Sequence, residues 1–181
     1  MNRLQPQLRP ATSDDAVTVA ALSVQVFLDT YATEGIRPDL ALEAFSHYST
    51  EAFAARLAEP TRRFLISEHA TGLLGFAELL LSAIPAPAGA VVGAELVRLY
   101  VQPQAQGMGI GRHLLQAAEA VASNRALSCL WLTAWEGNHR ALGFYEAVGY
   151  TDIGATTYAF QGNSYGNRVL AKQLISVANA A

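Results

Sequence analysis

Two apolar rhythms alternate along this chain, and glycine, proline or a polar cluster marks most of the places where one gives way to the other. Residues 7–11 form a short predicted strand. Thr12 and Asp15 then make a capping-box start for a helix predicted to reach about residue 27, with Asp14 and Asp15 at its dipole-favoured end. A polar and aromatic loop, 29–35, and Pro38 lead into a helical stretch over 40–48, which Ser49 and Thr50 interrupt and recap before 52–57; Pro60 ends it. Residues 63–68 and 73–81 read as a hairpin around the turn 69–72, and 84–93, with two prolines and two glycines, as a loop. In the strand predicted over 94–101, Glu95, Val97, Leu99 and Val101 share one face and Leu96, Arg98 and Tyr100 the other, so Glu95 is the exception in an aliphatic row. The period then lengthens: Ile110, Leu114, Ala117, Ala118 and Val121 make the stripe of a helix. The continuous apolar run 127–134 suits the centre of a sheet, a helix over 139–148 stops at Gly149, and strands over 150–155, 157–160 and 168–174 close the chain, the last two joined by a polar loop over 161–167. Strands and helices in this alternation predict a single α/β domain over 1–181, without an internal repeat.

Composition narrows the function classes. With 181 residues, 51% of them hydrophobic and 15% charged, the chain is long and apolar enough for one substantial core. A net charge of −3 argues against nucleic acid as the main partner and favours a cationic substrate. One cysteine, Cys129, lies inside an apolar run; it excludes an internal disulfide framework, suggests a reducing compartment, and reads as a core residue rather than a nucleophile. The N-terminal residues lack the apolar stretch of a signal peptide, and no run approaches the ~18 apolar residues of a membrane helix, so the expected location is the cytoplasm, with no membrane partner. No His-x-x-x-His pair or cysteine cluster points to a metal.

The richest chemistry lies where the strand ending at Val101 meets the helix starting near Ile110. Glycines at 107, 109 and 111 allow close approach to the backbone and left-handed turns, and the first N–H groups of the following helix sit unpaired at its positive end. Together they make an anion site suited to a phosphate or pyrophosphate. No Lys-Ser/Thr follows the glycines, as a Walker loop requires, and no acidic residue closes a following strand, as a dinucleotide fold prefers.

The stretch Gln104-Ala105-Gln106-Gly107-Met108-Gly109, continued by Ile110-Gly111, resembles the acetyl-CoA signature of the GNAT acyltransferase superfamily, Q/R-x-x-G-x-G/A. A second stretch, from Asn138 through Ala141, Phe144 and Tyr145 to Gly149 and Tyr150, resembles the superfamily's N-x-x-A-x-x-F-Y-x-x-x-G-F/Y signature, in the right order and one helix and one strand further on. The segments 95–101, 135–141 and 169–174 look most like bacterial PaiA-type acetyltransferases, which act on polyamines. The resemblance implies a mixed, centrally split sheet of about seven strands flanked by about four helices, and transfer of an acetyl group from acetyl-CoA to a primary amine by direct attack. Small amines or polyamines are the favoured acceptors; protein N-termini, amino acids and aminoglycosides are alternatives in the same class. A CoA-binding sensor or interaction domain without turnover is the alternative of another class. Homodimers are common in such folds.

The same resemblance assigns roles. Tyr145 is the candidate acid for the leaving thiolate, and Glu95 the first candidate base, with Glu136 second. Leu99, Val101, Gln106, Gly107, Met108, Gly109, Ile110, Gly111, Arg112, Asn138, Ala141 and Tyr145 are expected to hold the cofactor, and Tyr31 and Glu34 to face the acceptor. Gln106 departs from the arginine or lysine common at its position, which leaves more of the pyrophosphate to backbone N–H groups.

Overall fold

The computed structural model describes residues 6–70, 72–87, 89 and 91–174. In chain order its elements are β1 (Gln7–Pro10), α1 (Ala16–Tyr31), α2 (Pro38–His47), α3 (Thr50–Leu57), β2 (Arg62–His69), β3 (Gly72–Pro85), β4 (Val92–Val101), α4 (Ile110–Ser123), β5 (Cys129–Trp135), α5 (His139–Ala147), β6 (Thr151–Phe160) and β7 (Asn163–Gln173), with single 3₁₀ turns before α1 and after β4. The strands form one seven-stranded sheet in the order β1-β2-β3-β4-β5-β7-β6. It is mixed: β4 and β5 are parallel, whereas β1–β2, β5–β7 and β6–β7 are antiparallel. The β4–β5 pairing rests on Ala94↔Leu130 and Glu95↔Trp131, whereas β5 and β7 stay in register from Cys129↔Gln173 to Trp135↔Asn167. The chain divides into two compact units, one running to Glu78 and resuming over Arg98–Gln116, the other holding Leu79–Val97 and the chain from Ala117.

In the first unit an aromatic core joins helices to strands. Phe53 packs edge-on against Phe64 and Phe76, with centroids 6.2 Å apart in both pairs, and Phe76 packs against Tyr100 at 5.5 Å. Arg9 ties the first strand down, its guanidinium bonding both oxygens of Asp15 at 2.9 Å and both of Glu68 at 3.0 Å. Asp15 in turn accepts from the Thr12 backbone N–H at 2.7 Å, so the capping box expected from the sequence is formed. The Arg9 hydrogen bond lowers the Asp15 pKa from 3.8 to about 2, against the opposing effect of burial. A carboxylate with a depressed folded-state pKa stabilises above its unfolded value, and that contribution disappears as pH falls from about 4 to about 2. Its size is at most about 2.5 kcal/mol, reduced by solvent screening on the Arg9 side. Asp15→Asn should therefore unfold at lower urea than the wild type at pH 7 and at the same urea near pH 2; parallel curves at both would remove the ion pair from the account.

In the second unit β5, β7 and the loop before β4 close an apolar cluster of Ala86, Cys129, Trp131, Val169 and Ala171, against which Ile84, Val91 and Ile153 pack. Cys129 is buried, which pushes its thiol pKa up and makes it unreactive. Lys172 bonds both oxygens of Glu119 at 2.9 and 3.0 Å and the Val148 carbonyl at 3.0 Å.

Several boundaries differ from the sequence expectation; β3 runs on to Pro85, past the expected end at 81, and β4 starts at Val92 rather than 94, which shortens the expected loop 84–93. The first helix runs to Tyr31 rather than about residue 27, because nothing before Gly35 breaks it; Tyr31 therefore lies in its last turn, 5.0 Å from the Phe27 ring, and not in the loop. The strands expected over 150–155 and 157–160 are one strand, β6, with a register shift between Asp152 and Gly154. The polar loop expected over 161–167 is mostly strand, because Gln161 and Gly162, at φ 47° and 78°, turn the chain in two residues. Residue 71 of the expected turn 69–72, and residues 88 and 90 of the expected loop 84–93, lie outside the described residues.

Candidate functional site

The phosphate-type loop is built as its residues demand. Gln102 N–H donates to the Leu74 carbonyl at 2.9 Å, fixing where β4 ends, and a 3₁₀ turn over Pro103–Ala105 follows. Gly107 and Gly109 then take φ of 81° and 82°. A Cβ at either would meet no protein atom within 4 Å, so the left-handed backbone, not crowding, is what demands glycine. The first intrahelical bond of α4 runs from His113 N–H to Gly109 O at 3.0 Å, which leaves the N–H groups of Ile110, Gly111 and Arg112 ahead of the hydrogen-bonded ladder. These donors at the positive end of a fourteen-residue helix fit an anionic, pyrophosphate-bearing ligand. The Ile110 side chain is buried, so what it offers a ligand is its N–H; Met108 and Arg112 are exposed. Gln106 turns inward, its carboxamide donating to the Val101 carbonyl at 3.1 Å, and so braces the loop against the strand end. Leu99 and Val101 are half-buried on β4.

The second signature forms a capped helix. Asn138 is the N-cap of α5, its Oδ1 accepting from Ala141 N–H at 3.1 Å. Tyr145, one turn on, is buried at 7% exposure, edge-on to Phe144 at 5.2 Å and to Tyr150 at 5.6 Å. Glu136 is exposed just past β5; its backbone N–H bonds Gly166 O at 3.0 Å, and its carboxylate lies where a Cβ on Gly166 would be, 2.6 Å from Oε1. Glu95 is half-buried beside Trp131 in the β4–β5 register. Asn138, Ala141 and Tyr145 thus share one helix, whereas Glu95 belongs to the sheet. Glu34 is exposed in the loop before α2.

Sequence reasoning missed a buried polar cluster in the first unit. Glu78, fully buried on β3, accepts from Arg62 Nη1 at 2.6 Å and from Arg98 Nη1. Arg98 lies over the rings of Tyr48 and Phe53, 5.4 and 5.6 Å from their centroids, and its Nη2 contacts His47 Nε2 at 3.0 Å. A guanidinium only donates, so His47 accepts through Nε2 and carries its proton on Nδ1. Burial, together with Arg56 and Arg98, lowers the His47 pKa and agrees with that neutral state. A lone acid in the apolar stretch 73–81 and a lone base in 94–101 were the available signal, but nothing local in either stretch names its partner. Among the described residues no group of three or more His, Cys, Asp or Glu side chains is arranged to hold a metal, and no helix is long and apolar enough to cross a membrane.

A family model described as the acetyltransferase (GNAT) family matches residues 29–150. The chain is 24% identical, over 86% of its own length and 90% of the relative's, to an uncharacterized N-acetyltransferase of Lactobacillus delbrueckii subsp. lactis. Among solved structures it resembles a GCN5-related N-acetyltransferase of Rhodopseudomonas palustris, with TM-score 0.71, 26% identity, and 96% and 99% of the two chains covered. The fold also matches that of the PaiA N-acetyltransferase of Thermoplasma acidophilum in complex with coenzyme A, with TM-score 0.74, 22% identity, and 93% and 99% coverage.

Proposed function

The chain belongs to the acetyltransferase (GNAT) family and is an acyltransferase; from that premise we propose that, as one domain, it moves an acetyl group from acetyl-CoA to a primary amine, with small amines and polyamines as preferred acceptors. The observation that carries the reading is the loop at 106–112, where two left-handed glycines precede three N–H groups left out of the helix ladder. Two similar folds are described with coenzyme A or acetyl-CoA bound, one of them a PaiA N-acetyltransferase and the other from Salmonella typhimurium. Another belongs to a spermidine N-acetyltransferase of Vibrio cholerae.

The residues present fit the cofactor. The N–H groups of Ile110, Gly111 and Arg112 hold the pyrophosphate, with Gly107, Met108 and Gly109 shaping the approach and Gln106 bracing it. Leu99 and Val101 offer β4 backbone to the acyl end, and Asn138 and Ala141 offer the start of α5 to the pantetheine arm. Acetyl-CoA supplies the activated acetyl group. An aliphatic amine of pKa about 10.4 is protonated at pH 7, and baring its lone pair costs about 4–5 kcal/mol at roughly 1.36 kcal/mol per unit, so a base is useful. Glu95 takes that proton, directly or through water; Glu136 is the second candidate. Tyr145 gives a proton to the departing sulfur, and Tyr31 and Glu34 face the acceptor.

The test is release of CoA thiol from acetyl-CoA with spermidine, putrescine, amino acids, an aminoglycoside and N-terminal peptides. Turnover with spermidine well above the other acceptors is expected. Tight CoA binding with no turnover on any of these amines would overturn the small-amine reading and leave either an acceptor outside the panel or a CoA-binding sensor.

A further inference from the structure

In the second unit the strand registers sort side chains onto two faces. Residues directly opposite one another share a face, and the face alternates along each strand. The pairs Glu95↔Trp131, Trp131↔Ala171, Trp135↔Asn167, Thr156↔Asn167 and Tyr158↔Tyr165 therefore put Glu95, Trp131, Trp135, Asn167, Tyr158 and Tyr165 on one face. The two basic side chains of β5, β6 and β7, Arg168 and Lys172, point to the other, where they pair with Asp152 and Glu119. At the Cys129 end the first face is sealed by its apolar cluster, and Trp131 Nε1–H is satisfied by the Ile84 carbonyl at 3.3 Å. At the other end Trp135, Tyr158 and Tyr165 are half-buried, with Tyr165 stacked on Phe160 at 4.9 Å.

Asn167 lies between the two ends, only 6% exposed, and its buried Oδ1 has no hydrogen-bond partner. A buried acceptor without a donor is a penalty that a fold rarely keeps, and this one lies beside aromatic rings on a face from which the neighbouring cations are turned away. That is the chemistry of an ammonium site: an oxygen to accept N–H and π faces to hold the charge. Glu95 on β4 pairs with Trp131, about 13 Å along β5 at roughly 3.3 Å per residue from the Trp135↔Asn167 pair, and β5 lies between it and β7, so the two groups are too far apart to hold one nitrogen.

We propose that Asn167 Oδ1, with the rings of Trp135, Tyr158 and Tyr165, receives a second, non-reacting ammonium of the acyl acceptor and so selects polyamines over monoamines. The inference rests on the acetyl-transfer reading above. Asn167→Leu keeps the branched shape of the side chain and removes the orphaned oxygen. Its thermal midpoint without ligand should equal or exceed that of the wild type, because the orphan is replaced by an apolar group. Its KM for spermidine should rise about tenfold or more, the loss of a hydrogen bond to a charged group, while KM for acetyl-CoA and for n-butylamine stays unchanged. The spermidine-to-butylamine ratio of kcat/KM should collapse accordingly. An unchanged spermidine KM in the folded variant, or a clear drop in its thermal midpoint, overturns the assignment of Asn167 and leaves acetyl transfer intact. Wild-type protein that turns over neither amine overturns both.

Discussion

Glu78→Ala is expected to cost about 3–5 kcal/mol of folding stability, the penalty for removing one partner of a buried ion pair. The size follows from what stays behind. Glu78 is fully buried and accepts from both Arg62 and Arg98. Arg98 is only 9% exposed, walled by Tyr48 and Phe53. Arg56, half-buried against the Phe53 ring with a buried Nη1 that has no hydrogen-bond partner, adds repulsion, and burial and Arg98 already lower its pKa. Without the carboxylate, these guanidinium groups face each other across a low-dielectric interior, with a neutral His47 unable to compensate. Urea unfolding measures the loss. The double change Glu78→Leu with Arg98→Met should recover much of it, since replacing both partners by apolar groups removes the stranded charge. A single-variant loss below about 1 kcal/mol would mean that water reaches the cluster and that the pair is no buried strut.

Tyr145→Phe is expected to lower kcat about 100-fold while leaving CoA affinity close to wild type. General acids contribute roughly 10²–10⁴-fold, and a thiolate, whose parent thiol resembles the cysteine value of about 8.5, leaves with little help, which places the effect at the lower end. The phenylalanine ring keeps the edge-on contacts with Phe144 and Tyr150, so the ring packing is retained. Steady-state kinetics beside a CoA titration separates the outcomes. Equal kcat in the variant would remove Tyr145 from the chemistry. Parallel loss of CoA binding would make it a binding residue.

Local features were legible because their physics is local. Two glycines spaced for left-handed turns, a following apolar stripe of period 3.6, and an asparagine three residues before Ala141 each state their own backbone geometry. The loop, α4 and α5 accordingly stand where the sequence placed them. The Thr12–Asp15 box was likewise readable, but its brace was not, since Glu68 reaches Arg9 from 59 residues away. The turn at Gln161-Gly162 was hidden by composition: polar residues 161–167 resemble a loop, yet two left-handed residues suffice to make a hairpin and turn the rest into strand.

By itself, then, the sequence determined the order of elements, the glycine loop before α4 and the family, all properties of neighbours along the chain. Only the tertiary structure decided which lone charges meet and which polar groups are stranded. Glu78 and Arg98 are 20 residues apart and Arg98 and His47 are 51 apart, so their pairing depends on how strands and helices pack. Asn167 shares a face with Trp135 because of the β5–β7 register. A register shift of one residue would turn it to the opposite face, and no pattern within residues 161–167 records that choice.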